Sequence, residues 1–436
     1  MAGHVKSPNI KTNDTKVITL GCRLNAYESD IMRGHAKDNA LENTVIINTC
    51  AVTSEAVRQS RQAIRRAKKN NPNAHIIVTG CAAQIDPQGF ADMPAVNHVI
   101  GNQEKMLSAT FNPDNLLSGE SIKVNDIMAV RETAPQLISG GNRPLEKSQS
   151  RTRAFLQVQN GCNHRCTFCI IPYGRGPARS VPAGEVVAHV RDLVRQGYGE
   201  VVLTGVDLSS WGGDLPGTPP LGDLVRRVLK LVPELPRLRL SSIDPAEVDE
   251  ALFEALTTDP RMTPYVHLSL QAGDDMILKR MKRRHSRADV IDLCERLRAK
   301  RPEITFGADM IAGFPTETDA MFENGKSIIE DIGIQWLHVF PYSPREGTPA
   351  AKMPAVNGTY IKARAKALRE AGEKTKAAHI RARIGETDIA LFEETGLGRL
   401  PDFTLIKLDN PPMAGQFAKV KLTDFNGEHA TGHLDE

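Results

Sequence analysis

Between residues 154 and 340 a short apolar run gives way six times to a stretch of helical period. This alternation constrains the fold more than any other property of the chain. Parallel strands need a long crossover, usually a helix, so repeated strand-then-helix units read as a parallel sheet with helices packed on it. The candidate strands are 155–159, 201–204, 238–241, 266–270, 305–311 and 337–340. Six such repeats describe a partial or complete barrel, whose functional residues are expected at the carboxyl ends of the strands.

The first of these strands runs directly into Asn160-Gly161-Cys162-Asn163-His164-Arg165-Cys166-Thr167-Phe168-Cys169-Ile170, a CxxxCxxC loop. Cysteine thiolates are the usual protein ligands of iron-sulfur clusters, and three of them can hold a 4Fe-4S cluster while leaving one iron without a protein ligand. The same three sulfurs could instead hold zinc, with His164 as a fourth ligand.

Residues 16–101 repeat the α/β alternation on a smaller scale, with candidate strands at 17–20, 45–47 and 76–78. Each is followed within a few residues by a cysteine: Cys22, Cys50 and Cys81. Ligands gather outside the carboxyl ends of strands in open α/β sheets, so three separate elements could deliver three thiolates to one metal site. The competing reading is three buried small hydrophobes. Cys294 lies at helical spacing with Val290, Leu293 and Leu297 and reads as core.

The start of the chain is polar, and no run of about 18 apolar residues occurs, so a cytoplasmic protein with no membrane segment is expected. In that reducing compartment, metal or catalytic use of the cysteines is favoured over disulfides. Residues 108–152, rich in Asn, Pro, Gly and Ser, read as a connector with a boundary near 140. Residues 359–383 read as one helix or two, and 388–392, 404–408 and 417–422 as strands of a small all-β barrel. The expected fold class is α/β: an amino-terminal open parallel domain over 14–135, a six-fold (βα) barrel over 145–376, and a β-barrel over 377–436.

With 55 Lys plus Arg against 52 Asp plus Glu, global attraction to nucleic acid is weak, and any such partner must be read from local patches. Arg58, Arg61, Arg65, Arg66, Lys68 and Lys69 share one candidate helix after the Cys50 strand and are the candidate RNA contacts. Lys279, Arg280, Lys282, Arg283, Arg284 and Arg287 form a second cluster, and residues 362–383 a third. The tail from residue 377 holds six Lys plus Arg and ten Asp plus Glu. A phosphate-binding module should be basic.

CxxxCxxC with Phe168 before its last cysteine, ending the first strand of a six-fold βα pattern, resembles the radical S-adenosylmethionine (SAM) enzymes. That resemblance implies that the open iron of the Cys162, Cys166 and Cys169 cluster binds SAM, which is cleaved to a 5′-deoxyadenosyl radical. It also implies cofactor contacts from Phe168, from Thr204, Gly205 and Asp207 after the second strand, from Ser269 and Gln271 after the fourth, from Ile311 and Gly313 after the fifth, and from Arg284 toward the SAM carboxylate.

Over almost the whole chain, Thr19-Leu20-Gly21-Cys22-Arg23-Leu24-Asn25, Asn48-Thr49-Cys50-Ala51-Val52-Thr53, Thr79-Gly80-Cys81-Ala82-Ala83-Gln84 and Asp309-Met310-Ile311-Ala312-Gly313-Phe314-Pro315 resemble the methylthiotransferases within that superfamily. The resemblance implies a second 4Fe-4S cluster on Cys22, Cys50 and Cys81, a central radical SAM partial barrel and a TRAM-like RNA-binding tail. Gly21-Cys22-Arg23-Leu24-Asn25 is similar to the branch that acts on N6-threonylcarbamoyladenosine next to the tRNA anticodon. The implied partners are a tRNA substrate, an electron donor such as flavodoxin or ferredoxin, and a sulfur source. The acidic tail is nearer the branch that modifies a ribosomal protein. A reading from another class is a non-catalytic, zinc-containing RNA-binding protein.

Overall fold

The computed structural model describes residues 15–117, 119–130, 152–393 and 396–435. Among these, one compact unit comprises the residues up to 130 together with 170–177, and a second comprises 152–169 and 178–435. No helix among the described residues is long and apolar enough to cross a membrane.

The first unit is a five-stranded parallel sheet in the order β1 (Lys16–Thr19), β2 (Thr44–Thr49), β3 (His75–Gly80), β4 (His98–Ile100), β5 (Ile122–Lys123). Successive side chains of a strand point to opposite faces, which explains why the apolar runs here are continuous. Val45, Ile47, Ile76 and Val78 pack with Ile64 and Ala67 of α2 (Ser54–Asn70) on one face. Ile46, Ile77 and Ile100 pack with Met32 and Ala36 of α1 (Arg23–Asp38) on the other. The register sets Thr19 beside Asn48 and Thr49 beside Gly80, so the carboxyl ends of β1, β2 and β3 lie level. Part of the expected connector belongs to this unit: β5 adds a fifth strand, and Phe111 is fully buried against Ile46, Ile77 and Ile100 on the α1 face. A two-residue strand has no periodicity to detect in sequence. The expected boundary near 140 falls outside the described residues.

In the second unit the six expected strands are present, as β6 (Arg153–Gln157), β9 (Glu200–Thr204), β10 (Arg237–Leu240), β12 (Tyr265–Gln271), β13 (Thr305–Ala312) and β14 (Ile334–Pro341). A two-stranded ribbon, β7 (Gln159–Asn160) with β8 (Arg179–Ser180), brackets the cysteine loop. The third strand breaks at Ser241: β10 pairs with β9, and its continuation β11 (Ser242–Ile243) pairs with β12, giving the orders β10-β9-β6 and β11-β12-β13-β14. Every pairing among these six is parallel. Among the described residues β6 and β14 have no strand on their outer sides, so the barrel is partial.

Residues Gly358–Ala382 form one 25-residue helix. It leads into a closed barrel of β15 (Thr387–Phe392), β16 (Leu397–Arg399), β17 (Leu405–Lys407), β19 (Ala430–Leu434) and β18 (Phe417–Phe425). This small barrel docks on residues at the amino ends of the large barrel's strands. Trp336 Nε1 and Thr305 Oγ1 donate to the Asp402 carbonyl at 2.9 and 3.1 Å, Arg239 donates to the Pro401 carbonyl at 3.0 Å, and Phe403 stacks on Tyr265 at 4.9 Å. The tail's acidity is partly internal: Glu386, Asp388, Glu393, Asp402 and Asp435 are paired with Arg383, Arg153, Arg399, His379 or Lys419.

Candidate active site

Cys22, Cys50 and Cys81 follow the level ends of β1, β2 and β3. Glycine makes the approach possible at two of them. At Gly80, φ is +97° and an added Cβ would lie 2.3 Å from the Thr49 carbonyl oxygen; at Gly21, φ is +98° and the Cβ would lie 2.9 Å from Cys50 Sγ. L side chains rarely adopt either backbone conformation. Asn25, on the first turn of α1, ties the ends together by donating to the carbonyls of Leu20 and Thr49 at 2.6 and 3.0 Å.

Cys50 and Cys81 are buried, whereas Cys22 is exposed. Burial pushes the Cys50 thiol up to about 11, and the neighbouring Cys81 and Cys22 sulfurs push the same way. At neutral pH such a thiol keeps its proton unless a metal takes the proton's place. The clustered donors are sulfurs, a soft set suited to an iron-sulfur cluster or zinc and not to magnesium or calcium. The residues present therefore fit a cluster.

In the second unit the Cys162, Cys166 and Cys169 loop is held by its own backbone, with Cys169 N–H donating to the Cys166 carbonyl at 3.1 Å. The Thr167 hydroxyl donates to the Arg280 carbonyl at 2.8 Å. Phe168 packs edge-on against Phe314, 6.5 Å between centroids, within a cluster that also holds Ile311 and Tyr342. His164 Nε2 sits 3.0 Å from Asp207 Oδ2, and Ser210 donates to the same oxygen at 2.9 Å. Cys162 Sγ stands 3.3 Å from that oxygen, and burial, then the Asp207 charge, pushes the thiol well above its ordinary range.

Gln159 positions Asp207 by accepting from its backbone N–H at 2.8 Å, and its side chain fills the space beside Gly205. Thr204, the last residue of β9, is buried. Ser269 lies at a bulge in β12, and Gln271 closes that strand at φ +68°. Strained backbone of this kind concentrates at ligand clamps. Gly313 adopts φ +73°, with its N–H held by Glu317 at 3.0 Å.

Arg284 does not stand free to meet a ligand: it pairs with Glu247 at 2.6 Å and Asp244 at 3.1 Å. Arg283 lies deeper, 2.9 Å from Asp244 and 3.7 Å from Cys166 Sγ. Sequence reasoning missed Gln159, Ser210, Asp244 and Glu247, because nothing in their spacing marks them. It also missed a row across three adjacent strands, in which Asp309 Oδ1 lies 3.1 Å from His267 Nε2 and 3.2 Å from His338 Nδ1.

The six basic residues of α2 divide by helical face. Ser60, Ile64 and Ala67 are its buried stripe. Arg61 is engaged by Asp86, the Gly89 carbonyl and the Phe90 ring, and Lys68 by the Ala74 carbonyl. Arg58, Arg65, Arg66 and Lys69 are exposed, with Arg58 paired to Glu55.

Residues 156–324 match the radical SAM superfamily, and residues 14–101 match an uncharacterized protein family, UPF0004. The chain is 52% identical over 407 residues to the threonylcarbamoyladenosine tRNA methylthiotransferase MtaB of Rickettsia prowazekii, covering 93% of this chain and 94% of that one. The chain belongs to the radical SAM methylthiotransferases. A second relative with the same name, from Chlamydia pneumoniae, is 34% identical over 417 residues, with 92% of each chain covered. The tRNA-2-methylthio-N(6)-dimethylallyladenosine synthase of Cereibacter sphaeroides is also 34% identical, over 90% of this chain and 89% of its own.

Among solved structures, the radical SAM methyltransferase TsrM of Kitasatospora setae superposes with a TM-score of 0.50 at 16% identity. The match covers 75% of this methylthiotransferase and 68% of that chain, a likeness of fold. The cofactors of the family are SAM and 4Fe-4S clusters.

Proposed function

We propose that this methylthiotransferase converts N6-threonylcarbamoyladenosine next to the tRNA anticodon to its 2-methylthio form. The observation that carries the reading is the 52% identity, over nearly the full length of both chains, to a relative named for that activity. Supporting it are two cysteine triads, each at the carboxyl ends of parallel strands, where an enzyme with two clusters needs them.

In this reading Cys22, Cys50 and Cys81 hold the auxiliary 4Fe-4S cluster, and Cys162, Cys166 and Cys169 hold the one that binds SAM. When bound, the clusters and SAM would supply the one-electron chemistry that the unactivated C2–H bond of adenine requires, together with the methyl group, and a separate sulfur source would provide the sulfur. The protein's own groups position and shield. Asp207, steadied by Ser210 and Gln159, offers a carboxylate to the SAM amine; Arg283, over Cys166, places a guanidinium beside the same loop. Thr204, Gly205, Ser269, Gln271, Ile311 and Gly313 line the strand ends, and Phe168 walls the site. The exposed faces of Arg58, Arg65, Arg66 and Lys69 meet tRNA phosphates, and a flavodoxin or ferredoxin supplies electrons.

The ribosomal-protein alternative leaned on the acidic tail. Against it stand the tRNA names of the relatives; five of the tail's eight described acidic residues are paired with basic side chains, mostly the tail's own, so its net charge stays negative. Anaerobic turnover with tRNA carrying the precursor nucleoside tests the proposal. Methylthio product and 5′-deoxyadenosine are expected together, and Cys166→Ala should abolish both. Turnover on a ribosomal protein but none on tRNA would refute the substrate assignment, and zinc without sulfide in the anaerobic protein would refute the chemistry.

A further inference from the structure

Arg175 lies six residues past Cys169 in sequence, yet it belongs to the first unit, where its guanidinium is buried among the groups behind Cys81. Nε donates to Cys81 Sγ at 3.0 Å, Nη2 to Asn25 Oδ1 at 2.5 Å and to Glu28 Oε2 at 3.0 Å, and Nη1 to Glu28 Oε1. Glu28 in turn accepts from Lys105 Nζ at 2.6 Å, and Lys105 donates to Asn102 Oδ1 at 2.7 Å. Asn102 reaches back to the Gly174 carbonyl at 2.5 Å and lies 3.9 Å from Cys81 Sγ. The segment can sit this close because Gly174 has no side chain: a Cβ there would stand 3.2 Å from that of Cys81.

Glu28, Lys105 and Arg175 are essentially without solvent contact, and together they carry one negative and two positive charges. Two buried positive charges against one negative make this group complementary to an anion beside it. The nearest candidate is the Cys22, Cys50 and Cys81 centre: three thiolates around a 4Fe-4S core of charge +2 leave a net −1. The surplus positive charge and the cluster are complementary.

We propose that Arg175 is a positioning residue of the amino-terminal cluster: it orients Cys81 through the Nε contact and, backed by Glu28 and Lys105, raises the cluster's reduction potential. This inference rests on the reading of Cys22, Cys50 and Cys81 as cluster ligands. Hydrogen bonds to ligand sulfurs and nearby positive charge both favour the reduced, more negative form of a cluster. Arg175 supplies both, while Glu28 opposes them.

The test uses the full chain with Cys162, Cys166 and Cys169 all changed to Ala, so that only the amino-terminal cluster can load. Iron and sulfide are measured after anaerobic reconstitution, and the midpoint potential is read by redox titration with electron paramagnetic resonance. Arg175→Gln is expected to lower the potential and alter the spectrum of the reduced cluster, with Arg175→Lys intermediate. Glu28→Gln, which removes the opposing charge, should raise the potential, and it decides the matter if Arg175→Gln does not fold. A purely structural role predicts no such opposite signs. Loaded clusters with unchanged potential in both variants overturn the proposal. Absence of iron and sulfide from the three-alanine parent overturns the ligand assignment itself, and this inference with it.

Discussion

Replacing Glu200 by Gln should destabilise the second unit and loosen one of the contacts between its two barrels. Glu200 opens β9 fully buried, and Arg239, equally buried, donates to it through Nε at 2.8 Å and Nη2 at 3.2 Å. Arg153 is 3.8 Å away. Arg239 also lies over the rings of Tyr265 and Phe403, 5.4 and 5.1 Å from their centroids, which carries the effect into the tail. Burial alone would raise the Glu200 carboxyl, but the guanidiniums of Arg239, Arg153 and Arg237 more than offset it and hold it at about 2.

Against an unfolded value near 4.5, that depression corresponds to about 3 kcal/mol of stability at neutral pH. Removing one partner of a buried pair independently suggests about 3–5 kcal/mol. Because the folded carboxyl is the more acidic, the contribution is complete above about pH 4.5 and is lost as pH falls toward 2. Thermal unfolding of Glu200→Gln at pH 7 should therefore drop by roughly 10 °C. The gap from wild type should close as both are titrated into acid. A variant within about 1 kcal/mol of wild type at pH 7, or a gap that stays constant down to pH 2, would refute the reasoning.

Three further outcomes follow from the geometry. Gly80→Ala must relieve a 2.3 Å approach to the Thr49 carbonyl oxygen and a φ of +97°, so it should displace Cys81. The variant is expected to lose about half of the bound iron, with a stability loss of about 1–3 kcal/mol; iron analysis with thermal melting checks both. Cys294, wholly buried and pushed up to about 12 by that burial, should resist iodoacetamide at pH 8 in the native protein and react once unfolded, as peptide mass spectrometry would reveal. Exchanging Arg65 and Arg66 for Ala should weaken tRNA binding and lower its salt dependence by about one unit per lost phosphate contact. The same exchange at Arg61 and Lys68 should act mainly on stability, because those two side chains are already engaged by the protein.

Local signals in the chain were enough to place the cysteines. Strand and helix periods are set by neighbours a few residues apart, so the strands before Cys22, Cys50, Cys81 and Cys162 were legible, as was the burial of Cys294. The motif residues Asp207, Gln271 and Gly313 were legible through resemblance, and the last two proved to hold unusual backbone conformations. What escaped were partners that meet only through the fold. Glu28, Lys105 and Arg175 come from three separate stretches, and no period or spacing links them. Arg284 was expected to face the SAM carboxylate, and its pairing escaped notice because its acids, Asp244 and Glu247, lie some forty residues away.

The tail gives the sharpest contrast. Its net negative charge follows from composition alone. Only the tertiary structure decided that five of the eight described carboxylates there are paired, that Asp402 and Phe403 clasp the amino ends of the large barrel's strands, and that the tail stands on the side opposite the Cys162 loop. Charge adds up along a chain regardless of fold, whereas neutralisation depends on distances of a few ångströms that folding alone sets.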